Sequence, residues 1–163
     1  MNRVGLGENT VTAFKEDVEV LRSVPIFASV DATKLKLLAF ASQRLVFEEG
    51  QTLCKEGERG EQAFVILEGG ADVFVQAGGC DIRVASVGRN DFVGDIAILC
   101  DSPRTATVRA SSRCETLAIG KPQLMGLLKS FPEMSIAIMR VLASRLERTN
   151  HALAEAQRQA SMN

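Results

Sequence analysis

The residues with the clearest chemical potential lie in one stretch, from Phe92 to Ala110, which reads FVGDIAILCDSPRTATVRA. Gly94 and Asp95 precede a short run of helical character, and Arg104 directly follows Pro103. An arginine offers a fork of donors that matches phosphate, and N–H groups at the start of a helical turn favour the same anion. The carboxylate of Asp95 can accept the hydroxyl groups of a sugar. Recognition of both phosphate and hydroxyl groups predicts a nucleotide ligand.

The composition excludes several other kinds of site. The chain has one histidine, His151, and neither tryptophan nor tyrosine. A lone histidine cannot build a multi-histidine metal site, and histidine-assisted nucleophilic catalysis would depend on that one side chain. The cysteines lack the Cys-x-x-Cys spacing of zinc ribbons and thioredoxin-like sites; they are Cys54, Cys80, Cys100 and Cys114. We therefore expect a non-enzymatic protein that holds no metal and no cofactor.

Charge and hydropathy indicate an ordinary globular protein. The chain has 163 residues, a formal net charge of −1 and 46% hydrophobic residues. This balance argues against a chain-wide nucleic-acid or membrane-binding surface. No apolar run approaches the length of about 18 residues that a membrane-spanning helix needs. We expect a cytoplasmic protein with reduced thiols, and we expect the thiol of Cys100 to be buried and inert.

Three zones of different periodicity must position this stretch within one domain predicted over residues 1–163. Apolar residues at helical spacing predict helices within 10–42, the first ending before Pro25 and the second capped by Asp31. From residue 43 to 120, short apolar runs alternate with glycine-containing turns, which indicates a small β-sandwich or barrel with core strands at 63–67, 72–75 and 115–119. Helical spacing returns over 121–160, with a short helix near 123–129 and a long one from Glu133 to about Arg158.

The long C-terminal helix carries a stripe at alternating spacings of three and four. Its members are Met139, Leu142, Leu146, Thr149, Leu153, Ala156 and Ala160. This spacing is typical of a coiled-coil seam, and it predicts a homodimer through the helix. The alternative is that the stripe packs on the chain's own β-domain.

The stretch around Arg104 resembles the phosphate-binding cassette of the cyclic nucleotide-binding domain family, as found in catabolite activator and Fnr-like sensor domains. The family pattern is apolar-Gly-Glu-x-Ala-apolar, a short variable stretch, and then Arg-Ser/Thr/Ala-Ala-x-Val-x-Ala. Here Val93-Gly94, Ala97-Ile98 and residues 104–110 match it. Residues 21–39 are similar to the family's helical lead-in, and residues 56–69 to its β2–β3 turn and strand. The resemblance implies a mainly β fold with flanking helices, namely a β-roll (double-stranded β-helix or jelly roll) with N-terminal helices and a C-terminal lid and dimer helix.

The resemblance also implies a role for each matching residue. Arg104 would pair with the cyclic phosphate, and backbone N–H groups near Ala97 and Thr105 would complete the anion site. Gly94 would let the chain approach the ribose, and Asp95 stands where the family usually has a glutamate that accepts the ribose 2′-hydroxyl. Because aspartate is one methylene shorter, that contact is expected to be longer, water-mediated or lost. The expected ligand-binding residues are Gly94, Asp95, Ile96, Ala97, Arg104 and Thr105.

Recognition of the base is predicted less directly. Thr105 is the choice seen in family members that accept cGMP as well as cAMP. The segment from Ser144 to Asn150 is similar to the part of the bacterial catabolite activator protein that meets adenine. This likeness makes Thr149 and Asn150 candidate base caps, and Val73 and Ala85 are candidate apolar walls.

Together these features predict a regulatory module that binds cAMP or cGMP and acts by conformational change on a partner chain. Because the sequence ends at Asn163, we expect no helix-turn-helix domain and no direct DNA binding. The residues after Gly120 carry six Lys or Arg against three Glu, a mild excess that could favour an acidic partner. The alternative function is a β-roll interaction module that keeps the fold and binds no nucleotide.

Overall fold

Two four-stranded antiparallel sheets and five helices form the computed structural model, which describes the backbone of residues 5–163 and the side chains from residue 11 onward. Residues 1–4 of the predicted domain lie outside the described part. The helices are α1 (Gly5–Ser23), α2 (Ala32–Ala41), α3 (Asp95–Leu99), α4 (Lys121–Ser130) and α5 (Pro132–Ser161), with a 3-10 turn at Pro25–Phe27. The strands are β1 (Gln43–Phe47), β2 (Thr52–Cys54), β3 (Gln62–Glu68), β4 (Gly70–Ala77), β5 (Cys80–Gly88), β6 (Phe92–Val93), β7 (Thr107–Ala110) and β8 (Cys114–Gly120).

The strand orders are β1-β8-β3-β6 in one sheet and β2-β7-β4-β5 in the other. One hydrophobic cluster joins the two sheets through residues such as Phe64, Ile66 and Val108. A second cluster joins the outer face of the first sheet to the helices through residues such as Val65, Leu117 and Phe27. The molecule therefore has three layers: the helices, the sheet that contains β3, and the sheet that contains β4. The predicted fold class, a mainly β fold with flanking helices, is confirmed.

Strand β3 explains why the sequence shows an unbroken apolar run at its centre. Alternate residues of a strand point to opposite faces. Phe64 and Ile66 belong to the cluster between the sheets, whereas Ala63, Val65 and Leu67 belong to the cluster against the helices. Both faces of β3 are buried, so every position from 63 to 67 is apolar.

The helices begin and end close to the predicted positions. The first helix ends at Ser23, before Pro25, and Asp31 is the N-cap residue of α2, where its carbonyl accepts the N–H groups of Lys34 and Leu35. Pro132 stands in the first turn of α5, where its missing N–H leaves no bond unmade. Within residues 5–163, none of the helices is both long and apolar enough to cross a membrane.

The four cysteines are free thiols in two different environments. Cys54 and Cys114 are buried, and burial raises the pKa of both thiols, at Cys54 against the opposing effect of the Arg104 charge. Cys80 and Cys100 are exposed. The expectation of a buried Cys100 is therefore wrong: this residue follows the last turn of α3, beyond the part of that helix that packs inward.

This difference predicts selective alkylation of the native protein. Iodoacetamide near neutral pH should modify Cys80 and Cys100 first, because only the thiolate reacts. The thiols of Cys54 and Cys114 are buried, and their raised pKa values keep them protonated. Mass spectrometry of tryptic peptides after timed labelling measures this order. A urea-unfolded sample is the control, in which all four should react alike. Equal rates at Cys54 and Cys80 in the native protein would contradict the assignment.

Candidate functional site

The segment singled out in the sequence folds as a turn, a one-turn helix and a loop that enters β7. Strand β6 ends at Val93, and Gly94 then adopts a left-handed conformation with φ +82° as the N-cap residue of α3. A Cβ atom at this position would lie 2.6 Å from Nη1 of Arg104. A glycine is therefore required here both for its backbone angle and for the space that the arginine occupies.

The guanidinium of Arg104 is enclosed by backbone. The residue is 7% exposed, and it donates hydrogen bonds from Nη1 to the carbonyl of Gly94 (3.0 Å) and from Nη2 to the carbonyl of Gln62 (2.5 Å). A Cβ atom at Gly60 would lie 3.0 Å from Cζ of the same side chain. The backbone of Arg104 is also fixed, because its N–H donates to Glu58 O (2.8 Å) and its carbonyl accepts from Gly57 N (2.9 Å).

The charge of Arg104 is not balanced by a carboxylate. In the described part of the chain, both of its side-chain hydrogen bonds go to neutral carbonyl oxygens, and none of the ion pairs includes it. A buried charge without a counterion is costly. The guanidinium carries further N–H donors that these two bonds leave unused. The arrangement is suited to an anion that supplies the missing negative charge.

Asp95, the first residue of α3, is also buried, at 6% exposure, and its partner comes from the long C-terminal helix. Nη1 of Arg145 lies 3.1 and 3.3 Å from the two carboxylate oxygens, and Nη2 donates to the carbonyl of Phe92 (3.2 Å). Arg145 thus ties α5 to the start of the cassette. These distances are longer than the 2.7–2.9 Å typical of strong charge-assisted bonds.

Sequence reasoning missed this function of Arg145, which it counted only as one of six basic residues after Gly120. The position of Arg145 on the helix indicates this function. Arg145 stands four residues before Thr149, so the two side chains share a face of the helix. The predicted contact between Thr149 and the ligand therefore pointed to Arg145 as well.

A second ion pair ties the other end of α3 to the C-terminal helices. Lys121, the first residue of α4, donates to the carboxylate of Asp101, which follows α3 in a left-handed conformation with φ +49°. The hydrogen bond from Lys121 lowers the pKa of Asp101 below its usual value. Both ends of the cassette helix are thus connected to the helices that follow β8.

The structure brings some of the predicted ligand-binding residues together and leaves others at the surface. Gly94, Asp95, Ala97 and Arg104 converge, with Ala97 buried beneath Gly60. Ile96 and Thr105 are exposed. Among residues 11–163, whose side chains are described, no cluster of three or more histidine, cysteine or acidic side chains could hold a metal ion.

The candidate base-contacting residues lie on two separate elements. Val73 and Ala85 are register partners on β4 and β5, the first half-buried and the second exposed. Thr149 and Asn150 are exposed on α5, about one turn beyond Arg145, and the Thr149 hydroxyl donates to the carbonyl of Arg145 (2.9 Å). The roles of these four residues stay predictions.

Comparison with known proteins agrees with this geometry. The family model of the cyclic nucleotide-binding domain matches residues 44–131. The CRP-like cAMP-activated global transcriptional regulator of Mycobacterium tuberculosis is 29% identical over 138 residues, which is 84% of this chain and 62% of that protein. The cAMP-dependent protein kinase regulatory subunit of Mucor circinelloides is 32% identical over 123 residues, 76% of this chain and 29% of that protein.

A solved structure supports the fold. The regulatory domain of Toxoplasma gondii PKA, co-crystallised with cAMP, superposes with a TM-score of 0.74 at 22% identity, covering 83% of this chain and 52% of that one. The chain spans less than two thirds of the length of the two curated relatives.

The contact between α5 and the cassette predicts a specific stability effect. Replacing Arg145 with methionine keeps most of the apolar stem but leaves the buried Asp95 carboxylate without its cation, which should cost about 1–3 kcal/mol of unfolding free energy. Urea denaturation followed by circular dichroism measures it. Arg148→Met, an exposed position on the same helix, is the matched control. Equal midpoints for the two variants would show that the pair contributes nothing.

Proposed function

The chain belongs to the cyclic nucleotide-binding domain family, and from this premise we propose that its cassette binds cAMP, with cGMP as the second candidate. The observation that carries the proposal is the buried Arg104, whose hydrogen bonds go to carbonyl oxygens. A cyclic phosphate would supply the negative charge that this guanidinium lacks. The Mycobacterium and Mucor relatives, named for their response to cAMP, support the choice of ligand.

Two side chains and the backbone would hold the phosphate and the ribose, and four further side chains would contact the base. Arg104 and the N–H groups at Ile96, Ala97 and Thr105 hold the phosphate, and Gly94 leaves room for the Arg104 guanidinium. Asp95 accepts the 2′-hydroxyl. A carboxylate has more acceptor sites than the bonds from Arg145 use, so the hydroxyl can join that pair. Val73 and Ala85 would line the base, and Thr149 and Asn150 would cover it.

The proposed output is a shift between conformations of the C-terminal helices. A ligand changes such an equilibrium only by its difference in affinity for the two states. The ribose 2′-hydroxyl and Arg145 would contact the same carboxylate, that of Asp95. Binding of the nucleotide would therefore change the preferred position of α5. We place this regulatory, non-enzymatic module in the cytoplasm, where free thiols persist, with its effect exerted on a partner chain.

Calorimetric titration tests the proposal. The full chain should bind cAMP with saturable heat, and Arg104→Ala should weaken binding by about 100-fold or more, because two charge-assisted bonds of about 1.5–3 kcal/mol each are lost. Arg109→Ala, on the neighbouring strand β7 with its guanidinium over the Phe74 ring, is the control and should bind normally. Circular dichroism confirms that each variant is folded.

Absence of heat at millimolar cAMP and cGMP with the unaltered chain would refute nucleotide binding. The protein would then be the second candidate, an interaction module that keeps the fold without the ligand. One observation favours this candidate: Asp95 and Arg104 both already have hydrogen-bond partners within the chain.

The partner proposed first is a second copy of the chain, joined along α5. The predicted stripe leaves large apolar side chains in solvent, with Met139 at 59%, Leu146 at 62% and Leu153 at 56% exposure. Leu142 is half-buried against the chain's own core, whereas Met139 before it and Leu146 and Leu153 after it are exposed. A matching helix would cover the exposed positions.

Sedimentation analysis tests the dimer. The unaltered chain should sediment as a dimer at micromolar concentration, and Leu146→Lys/Leu153→Lys should sediment as a monomer, because charges in the seam oppose pairing. His151→Lys, an exposed position between them, is the control and should stay dimeric. A monomeric mass for the unaltered chain would remove this interface.

A further inference from the structure

Helix α2 exposes apolar side chains that its own domain does not bury. Leu35, Leu38 and Ala39 pack into the core, but Phe40 is 82% exposed and Leu37 is 64% exposed. A helix that is apolar on both faces normally has a partner on each. The core covers one face of α2, so its other face is available to something outside the described structure.

The exposed face of α2 borders a groove of about 450 Å³ between α2 and α4. The side chain of Leu37 forms one wall, and Pro122 and Gly126 of α4 stand on the other side. The lining also includes Leu38, which is buried, and Leu127, which is half-buried and packs against the core. The groove is thus concave and largely apolar, a shape that receives the apolar face of a helix.

Among the described residues that line the groove, the one charged side chain is that of Lys34. Helices α2 and α4 contain four lysines and no acidic residue: Lys34, Lys36, Lys121 and Lys129. Lys121 is paired with Asp101, and Lys34 lies in the lining with its Nζ 3.7 Å from the centre of the Phe131 ring. The nearest acidic residues along the chain, Asp31 and Glu133, precede α2 and begin α5, and neither lines the groove. A binding segment with carboxylates beside its apolar face would match this rim.

We propose that the groove between α2 and α4 is the docking site for an acidic amphipathic helix of a partner protein. Apolar side chains of that helix enter beside Leu37 and reach Phe40, which is three residues further along the exposed face of α2, and its carboxylates meet Lys34 and Lys129. The proposal goes beyond nucleotide binding and does not depend on it. It assigns the surface for a partner of different sequence, while the stripe on α5 serves a second copy.

A display library of helical peptides of about 16 residues, roughly four turns, tests the docking site. Each peptide has Leu, Ile, Phe or Met on one face, and Glu, Lys, Gln or Ala elsewhere. Selection on the full chain should enrich Glu over Lys several-fold. A selected peptide labelled with fluorescein should bind the unaltered chain with micromolar affinity, as measured by fluorescence anisotropy. It should bind the variant Leu37→Ser/Phe40→Ser about tenfold more weakly. Both positions are exposed, so the fold should persist.

The control is Ile82→Ser/Val84→Ser, which removes exposed apolar side chains from β5 and should leave peptide binding unchanged. The peptide should bind without any added nucleotide, which separates this proposal from the nucleotide site. The proposal fails if no peptide is enriched, if Lys is enriched, or if Leu37→Ser/Phe40→Ser binds as tightly as the unaltered chain. It also fails if that variant loses the dimer in sedimentation, because a second copy would then occupy the groove.

Discussion

A buried guanidinium held by backbone carbonyls is the constraint on which the site depends. Arg104 needs acceptors on two sides, and it finds them at Gly94 and at Gln62, on different elements of the chain. Its guanidinium fills the space beside Gly94, and together with Ala97 it fills the space beside Gly60. One cation therefore holds together the turn before α3, the start of β3 and the β2–β3 connection, and two of its N–H groups donate to neutral carbonyl oxygens.

The connections from this centre to the C-terminal helices are weak enough to be exchanged. The Asp95–Arg145 pair is buried on one side only, and its loss is expected to cost about 1–3 kcal/mol. A ligand that alters such a contact can change a two-state equilibrium several-fold, whereas near-complete switching needs about 5.5 kcal/mol. Full switching would therefore require further contacts, such as those proposed from Thr149 and Asn150 to the base.

Local patterns predicted the layers of this fold well, because they depend on neighbouring residues. The two-sided burial of β3 gives a continuous apolar run, and Pro25 and Pro132 mark helix boundaries. The contact between Arg145 and Asp95 joins residues 50 positions apart, and it depends on how α5 packs, which its spacing alone does not determine. The exposure of Cys100 was missed because a helix of one turn is too short to show which side faces inward.

The two unpartnered apolar surfaces differ in shape and charge, and this difference determines which can join identical chains. A two-fold interface presents the same patch on both copies, so the patch must complement itself. The stripe on α5 is a convex row that can interdigitate with its own copy. The groove beside α2 is concave and has Lys34 in its lining, so two facing grooves would leave a void and oppose like charges. This difference supports the proposal of a second copy on α5 and of a different chain in the groove. Arg145 of α5 and Lys121 of α4 contact the two ends of α3, so both proposed surfaces lie on helices that are connected to the cassette.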